Sequence, residues 1–414
     1  MVLVRFLPEI VGVLMFIMMA TQVPQIGPYL ILIEFGLVGL IFLFRTTTFL
    51  EALLRWWPLL AAPILAALSA MWSDVPMASL RYGLQFLFTA FVGVLLARLM
   101  TPQRFVSVFL VAMFAFCILC ILYGRQGSSA EGMVLIGLTG SKNQIGYAAQ
   151  LLILSAAAVM MMRGTGSGLR WVAVLAIPLG VYLVAGTNSA TAVLMAVGGT
   201  LALAMMWFSE RMNPGARLAT LIGGLVIVAP LSALIPEALA FINHFVFDTL
   251  DKDPTLTGRT FLWQAADDLI ARRPILGYGY QAIWMGDSTE TIALKRLTGV
   301  EDGRVFHFHH QFRQVAVDTG LVGLFAFVGV VLAVGLSGLR QLLLRPNAAT
   351  SFFFVVYLLM IARAFTDIII VPFSIHTLLF FAAGVYAFWK PETAHAPAQQ
   401  PRVWRPPHRF GARA

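Results

Sequence analysis

Charge is what this chain has least of. Only 11% of its 414 residues are charged, against about 25% in an ordinary soluble domain. That shortage excludes a water-facing fold built around one core. Cysteine is nearly absent as well: Cys117 and Cys120 lie in one apolar run and read as helix-packing residues, not as a disulfide or metal site. The first apolar segment, 11–19, follows Arg5, yet no small-residue cleavage site comes after it and another apolar run starts at Ile26. It is therefore expected to be retained as a first span. Internal repeats are missing, as is the ten-residue alternation that marks a membrane barrel.

What the chain does have is apolar length: 59% of it is hydrophobic. A membrane span needs about 20 mostly apolar residues, and in lipid such segments must be helices. The expected fold is an all-α polytopic membrane protein of about twelve transmembrane helices, with one large periplasmic loop containing short helices. Candidate spans fall at 4–22, 26–44, 52–71, 81–99, 104–123, 145–162, 171–186, 190–208, 217–236, 312–338, 351–369 and 373–389. The organisation is then 1–236 carrying spans, 237–311 as the loop, 312–389 carrying the last spans, and 390–414 as a disordered basic tail.

The net charge of +9 is an orientation signal, not a nucleic-acid footprint. Arg45, Arg55, Arg98, Arg104, Arg163, Arg170, Arg211, Arg217, Arg340, Arg345 and the tail arginines fall in alternate connections and so mark the cytoplasmic side. Both termini are expected there. The long loop then faces the periplasm of a bacterial inner membrane.

Against this background the stretch from Arg304 to Gly323 stands out. It sets His307, His309 and His310, with Arg304 and Arg313, directly against an apolar run. A neutral imidazole near pH 7 suits general-base chemistry. A lone interfacial His usually just hydrogen-bonds backbone, but three in four positions beside two Arg weigh toward chemistry. If a helix begins near His309, then His309 and Arg313 share one face, and His310, Gln314 and Asp318 another. Zinc is the other use of a His-x-His spacing. Glu301 and Asp302 are the only carboxylates close in sequence, so no metal is expected.

A second set is basic and outward-facing: Arg81, Arg125, Lys142, Arg259, Arg272, Arg273, Arg304 and Arg313. The planar fork of arginine matches phosphate oxygens; the plainer use is snorkelling to headgroups. Lys142 follows Gly140-Ser141 at a helix start, a place that can hold an anion. From Thr257-Gly258-Arg259-Thr260 onward, Phe261, Leu262, Ala265, Ala266, Leu269 and Ile270 form the stripe of a short amphipathic helix expected to lie on the membrane surface. Arg363 and Asp367, four apart in a late span, are expected to form an ion pair.

Together these motifs resemble the superfamily of O-antigen ligases and lipid-linked polysaccharide polymerases. The carriers are His309-His310, then 311–319, then Gly320-Leu321-Val322-Gly323. Added to them are His307, Leu256 to Trp263, Arg273 to Gly279, and Ser141-Lys142-Asn143. Position 310 departs, with His where an amide or hydroxyl is usual. The turn Thr187-Asn188-Ser189 departs too, lacking the arginine that ligases carry there.

The resemblance implies His309 as catalytic base and Arg259 as an essential donor-contacting arginine. Lys142, Arg81, Arg304, Arg313, His307, His310 and Arg273 remain candidate substrate contacts. It implies metal-free, cofactor-free glycosyl transfer with inversion, from an undecaprenyl-pyrophosphate-linked glycan to a saccharide acceptor. Membrane lipids, a flippase and a chain-length regulator are the partners such an enzyme would meet. Polymerisation of repeat units is the favoured reading. Ligation of finished glycan to lipid A-core is the alternative. A transporter is disfavoured, because charges are nearly absent from mid-span.

Overall fold

A computed structural model describes residues 7–21, 23, 25–129, 132–233, 259–298 and 306–388. Helix α1 (Leu7–Ala20) and α2 (Gly27–Phe44) lead into α3 (Thr46–Trp56), which continues through a 3-10 turn into α4 (Ala61–Leu68). Next come α5 (Pro76–Leu99) and α6 (Pro102–Leu122). Each opens on a proline, whose fixed φ and missing N–H suit the first helical position. Thr101 caps α6 by accepting from the Arg104 N–H. Then follow α7 (Lys142–Met161), α8 (Ser167–Gly186), α9 (Ala190–Ser209) and α10 (Pro214–Ala233).

Among the described residues, eight helices are long and apolar enough to cross a membrane, with shorter apolar helices at Glu9–Ala20, Ala348–Arg363 and Ile375–Ala387. The chain is a multi-pass α-helical membrane protein. One feature lies outside the all-helical expectation. Strands β1 (Arg125–Ser129) and β2 (Gly132–Gly137) pair as an antiparallel hairpin between α6 and α7.

The core is aromatic and tightly drawn. Phe105, Phe109, Phe352, Phe380 and Tyr386 are fully enclosed, and Phe105 meets Tyr386 edge-on at 5.7 Å. Small residues let backbones approach where hydrophobic sorting supplies little force in lipid. A Cβ on Gly93 of α5 would meet the Leu378 carbonyl oxygen at 2.5 Å. Cys117 and Cys120 are free and buried in α6, as packing residues.

The segment between α10 and the late helices folds over one end of the bundle. It holds α11 (Arg259–Arg272), α12 (Ala282–Met285) and α13 (Thr289–Thr298). Its apolar stripe does not lie on lipid as expected. Leu262, Ala266 and Leu269 join Trp284, Leu294 and Phe308 in a small second core, while Phe261 stays exposed.

Helix α14 (Gln311–Leu344), then α15 (Ala348–Arg363) and α16 (Ile375–Ala387), complete the chain. Helix α14 is broken at Gly320, where φ is +63°. The break frees backbone groups. Val317 and Asp318 carbonyls accept from the N–H groups of Tyr278 and Gly279, at 3.0 and 2.8 Å. Leu321 and Val322 donate to Pro274 and Ile275, at 2.7 and 3.2 Å. A Cβ on Gly320 would collide with the Ile275 carbonyl. The glycine of the sequence motif is thus where the folded-over segment is stitched to the bundle.

Candidate active site

The histidine strand is held by the residue between its two inner histidines. Phe308 is wholly buried in the second core. Its N–H donates to Gln314 Oε1 at 3.2 Å, and its carbonyl accepts from Trp263 Nε1 at 3.0 Å. In an extended stretch, neighbours of a buried residue point the other way. His307 and His309 accordingly both line a cavity of about 690 Å³.

His309 does not share a helical face with Arg313. It precedes α14 with φ +52°, a left-handed conformation uncommon for a side-chain-bearing residue and frequent at functional sites. His310 is the N-cap, its Nδ1 accepting from the Arg313 N–H at 3.4 Å.

Across the cavity sits the connection from α15 to α16. Gln311 pins it: Oε1 accepts from the N–H groups of Ile369 and Ile370, at 2.9 and 3.0 Å, and the Gln311 N–H donates to the Ala364 carbonyl at 2.8 Å. Asp367 therefore faces the histidines. Its Oδ1 lies 3.6 Å from His309 Nδ1, and its Oδ2 accepts from the Tyr147 hydroxyl at 3.3 Å. The 3.6 Å approach is longer than a hydrogen bond, and His309 Nδ1 has no other partner. The ion pair expected between Arg363 and Asp367 does not form. The Asp367 N–H still donates to the Arg363 carbonyl at 2.9 Å, but its carboxylate is turned to His309 and the Tyr147 hydroxyl.

The electrostatics follow from this arrangement. Burial first, then the charges of His309 and Arg259, push His307 down to about 4 against the pull of Asp367. His307 is therefore neutral near pH 7. Burial pushes the Asp367 carboxyl up, but His309 and His307 outweigh it and hold it below the usual carboxylate range. Burial, then Arg313, lowers His310. The Arg259 charge reaches His307 from the start of α11.

His307, His309 and Asp367 offer ligand atoms within 4.8 Å of one another, a donor set with the chemistry of a divalent site. The Asp367 carboxylate was invisible to reasoning by sequence proximity. However, His307 Nδ1 accepts the His309 N–H at 3.2 Å. The neutral tautomer consistent with that bond carries its proton on Nε2, which makes Nε2 a donor and not a ligand.

The remaining expected residues divide. Arg313 is committed to Asp267, Nε to Oδ1 at 2.8 Å and a second nitrogen to Oδ2 at 3.1 Å, over the Trp263 ring. Arg273 is paired with Asp74 at 3.0 Å and stacked on Tyr278. Arg81 is exposed and lies over Tyr82, which itself lines the cavity. Lys142 is partly buried between Ser141 and Asn143, two cavity-lining residues. Arg304 lies outside the described residues, as do Thr257, Glu301, Asp302 and the tail.

Sequence reasoning missed Tyr147, Gln281 and His376 and took Arg363 for an ion-pair partner; all four also line the cavity. Gln281, His309 and Phe373 are all non-glycine residues with positive φ, and all three line this same cavity. The lining is mixed: His307, His309, Asp367 and Asn143 are polar, while Met18, Met19, Ile31, Met113 and Phe116 are apolar.

A profile described as O-antigen ligase matches residues 171–328. The Exopolysaccharide production protein ExoQ of Rhizobium meliloti (strain 1021) is 31% identical over 346 residues, covering 78% of this chain and 75% of that protein. The chain belongs to the O-antigen ligase-like family. The family region carries Arg259, the histidine strand and the Gly320 break. Tyr147, Arg363, Asp367 and His376 lie beyond it and reach the same cavity through the fold. Membership makes this a membrane enzyme related to exopolysaccharide and O-antigen assembly, with lipid-linked glycans as its substrate class.

Proposed function

We propose that the protein polymerises undecaprenyl-pyrophosphate-linked oligosaccharide repeats at the periplasmic face of the inner membrane, with His309 as base. The observation that carries this reading is the His309–Asp367 approach in a cavity lined by both polar and apolar side chains. Such a cavity suits a glycan joined to an isoprenoid. With Nδ1–H turned to Asp367, His309 Nε2 is free to take the proton of an acceptor hydroxyl. That oxygen attacks the anomeric carbon as the bond to pyrophosphate breaks, and the electron pair leaves with the phosphate. Inversion is the expected stereochemistry. Arg259 is the proposed stabiliser of the departing charge.

In this reading about twelve helices span the membrane, counting the shorter apolar ones and α10, with the 259–298 segment on the periplasmic side and both termini cytoplasmic. The reaction needs no metal, since the His307 tautomer withholds one ligand. Chelation with EDTA should leave polymer yield unchanged. The relative's role in exopolysaccharide production favours a polymer product over a lipid A-core conjugate.

A chromosomal deletion tests the choice. Loss of a polymerase leaves single repeats on the carrier. Accumulation of long carrier-linked chains instead would replace this reading with ligation.

A further inference from the structure

A buried guanidinium that forms no ion pair among the described residues calls for an explanation. Arg363 is 4% exposed, lines the cavity, and its Nε has no hydrogen-bond partner. Its guanidinium lies on the Tyr147 ring. The nearest carboxylate is otherwise engaged: Asp367 Oδ1 accepts the Ile368 N–H at 2.9 Å and faces His309, while Oδ2 accepts the Tyr147 hydroxyl. Enclosed charge of this kind is costly unless it is paired. Part of that cost is met because Arg363 ends α15, where the helix dipole favours a cation. A ring face and a dipole still leave the directional N–H donor without an acceptor.

The surroundings suit an anion. Two helices begin at the cavity wall, α7 at Ser141 to Gln144 and α16 at Ser374 to His376. Helix N-termini present N–H groups and positive potential to phosphate oxygens. His376 adds a buried Nε2 with no partner. The 187–189 turn that lacks an arginine reaches the hairpin instead, through Asn188 to the Met133 carbonyl.

We infer that Arg363 is a phosphate-binding residue of this cavity, gripping the pyrophosphate of the lipid-linked donor between the starts of α7 and α16. This rests on the donor class proposed above. It assigns the binding charge to a residue outside the matched family region. Tyr147 backs the guanidinium with its ring, and the unpartnered Nε is the donor offered to the ligand.

The test is equilibrium binding of radiolabelled farnesyl pyrophosphate to the full-length protein in phosphatidylcholine nanodiscs. Wild type should bind, and unlabelled inorganic pyrophosphate should displace the label. Arg363→Gln should weaken binding by about tenfold or more, the loss expected for charge-assisted bonds to phosphate. Arg272→Gln, which breaks only a surface pair with Glu290, should leave binding unchanged. If Arg363 merely props Tyr147, Arg363→Gln lowers the melting temperature with affinity intact, and that overturns the inference while the donor reading stands. Should Arg363→Gln fail to fold, Arg363→Lys is read instead: weaker binding supports the role of the planar fork, and wild-type affinity overturns it. Competition by phosphatidylglycerol equal to that by pyrophosphate also overturns it, in favour of a general lipid headgroup site. Absence of wild-type binding removes both the inference and the donor class.

Discussion

Two groups of arginines sit at the same end of the bundle and are used in opposite ways. On the outer segment and the start of α14, Arg272, Arg273 and Arg313 are neutralised by Glu290, Asp74 and Asp267. In the cavity, Arg363 is enclosed, and among the described residues it forms no ion pair and its Nε has no hydrogen-bond partner. Exposed pairs of the first kind contribute little, typically about 0–1 kcal/mol. An enclosed charge is expensive to keep and is available to bind. Basic residues that look interchangeable in a sequence thus divide into structural clamps and a candidate ligand contact, by burial and by partner.

That division can be broken at its strongest point first. His309→Ala should lower transfer by about 10³-fold, within the usual range for a lost general base, with expression confirmed by blot. Unchanged polymer length and yield would remove the His-centred mechanism. Asp367→Asn should lower kcat by about 10²-fold with a smaller change in KM, because the carboxylate orients a base and does not grip the donor.

The same variant has a pH signature in stability. The folded-state value of Asp367 lies below its unfolded value. Its ionised form therefore stabilises the fold above about pH 4, and that contribution is lost as pH falls through the folded value. The melting-temperature gap between wild type and Asp367→Asn should close on acidification. A gap that widens instead would mean the carboxylate is not held by the histidines. His307, held at about 4, should add no ionisation step to the activity profile between pH 5 and 8.

Gly320→Ala should destabilise by about 1–3 kcal/mol, the cost of a strained left-handed residue, and should loosen the outer segment in hydrogen exchange near 273–279. The weakest effect is predicted for the clamps. Arg313→Gln should alter activity by less than about fivefold. A loss matching that of Arg363→Gln would erase the distinction between clamp and contact.

The class of fold was legible in the sequence, and so was the histidine motif that makes the candidate site, for a plain physical reason. Apolar runs of span length can only be helices in lipid, and three histidines beside two arginines are too costly there to be incidental. The helix starting at Arg259 was legible from its stripe, although its partner was not: tertiary packing put Leu262 and Leu269 against Trp284 and Phe308, not against lipid. The Arg363–Asp367 pair was misread because the Asp367 carboxylate is drawn to His309 and Tyr147, which distant segments bring to it. The hairpin at 125–137 escaped because two short strands carry little pattern of their own.

Composition and periodicity by themselves determined a multi-pass helical protein, and the motif spacing singled out a His-bearing strand followed by a Gly-x-x-Gly break. Only the tertiary structure decided which charges remain available. Whether an arginine faces Asp267 or an empty acceptor position depends on what a distant segment brings to it. Arg363 and Asp367 come from one connection, His309 from another and Tyr147 from a third helix. Their meeting is set by the Gln311 bonds and the Gly320 break, and separations of that kind are not encoded in neighbouring residues.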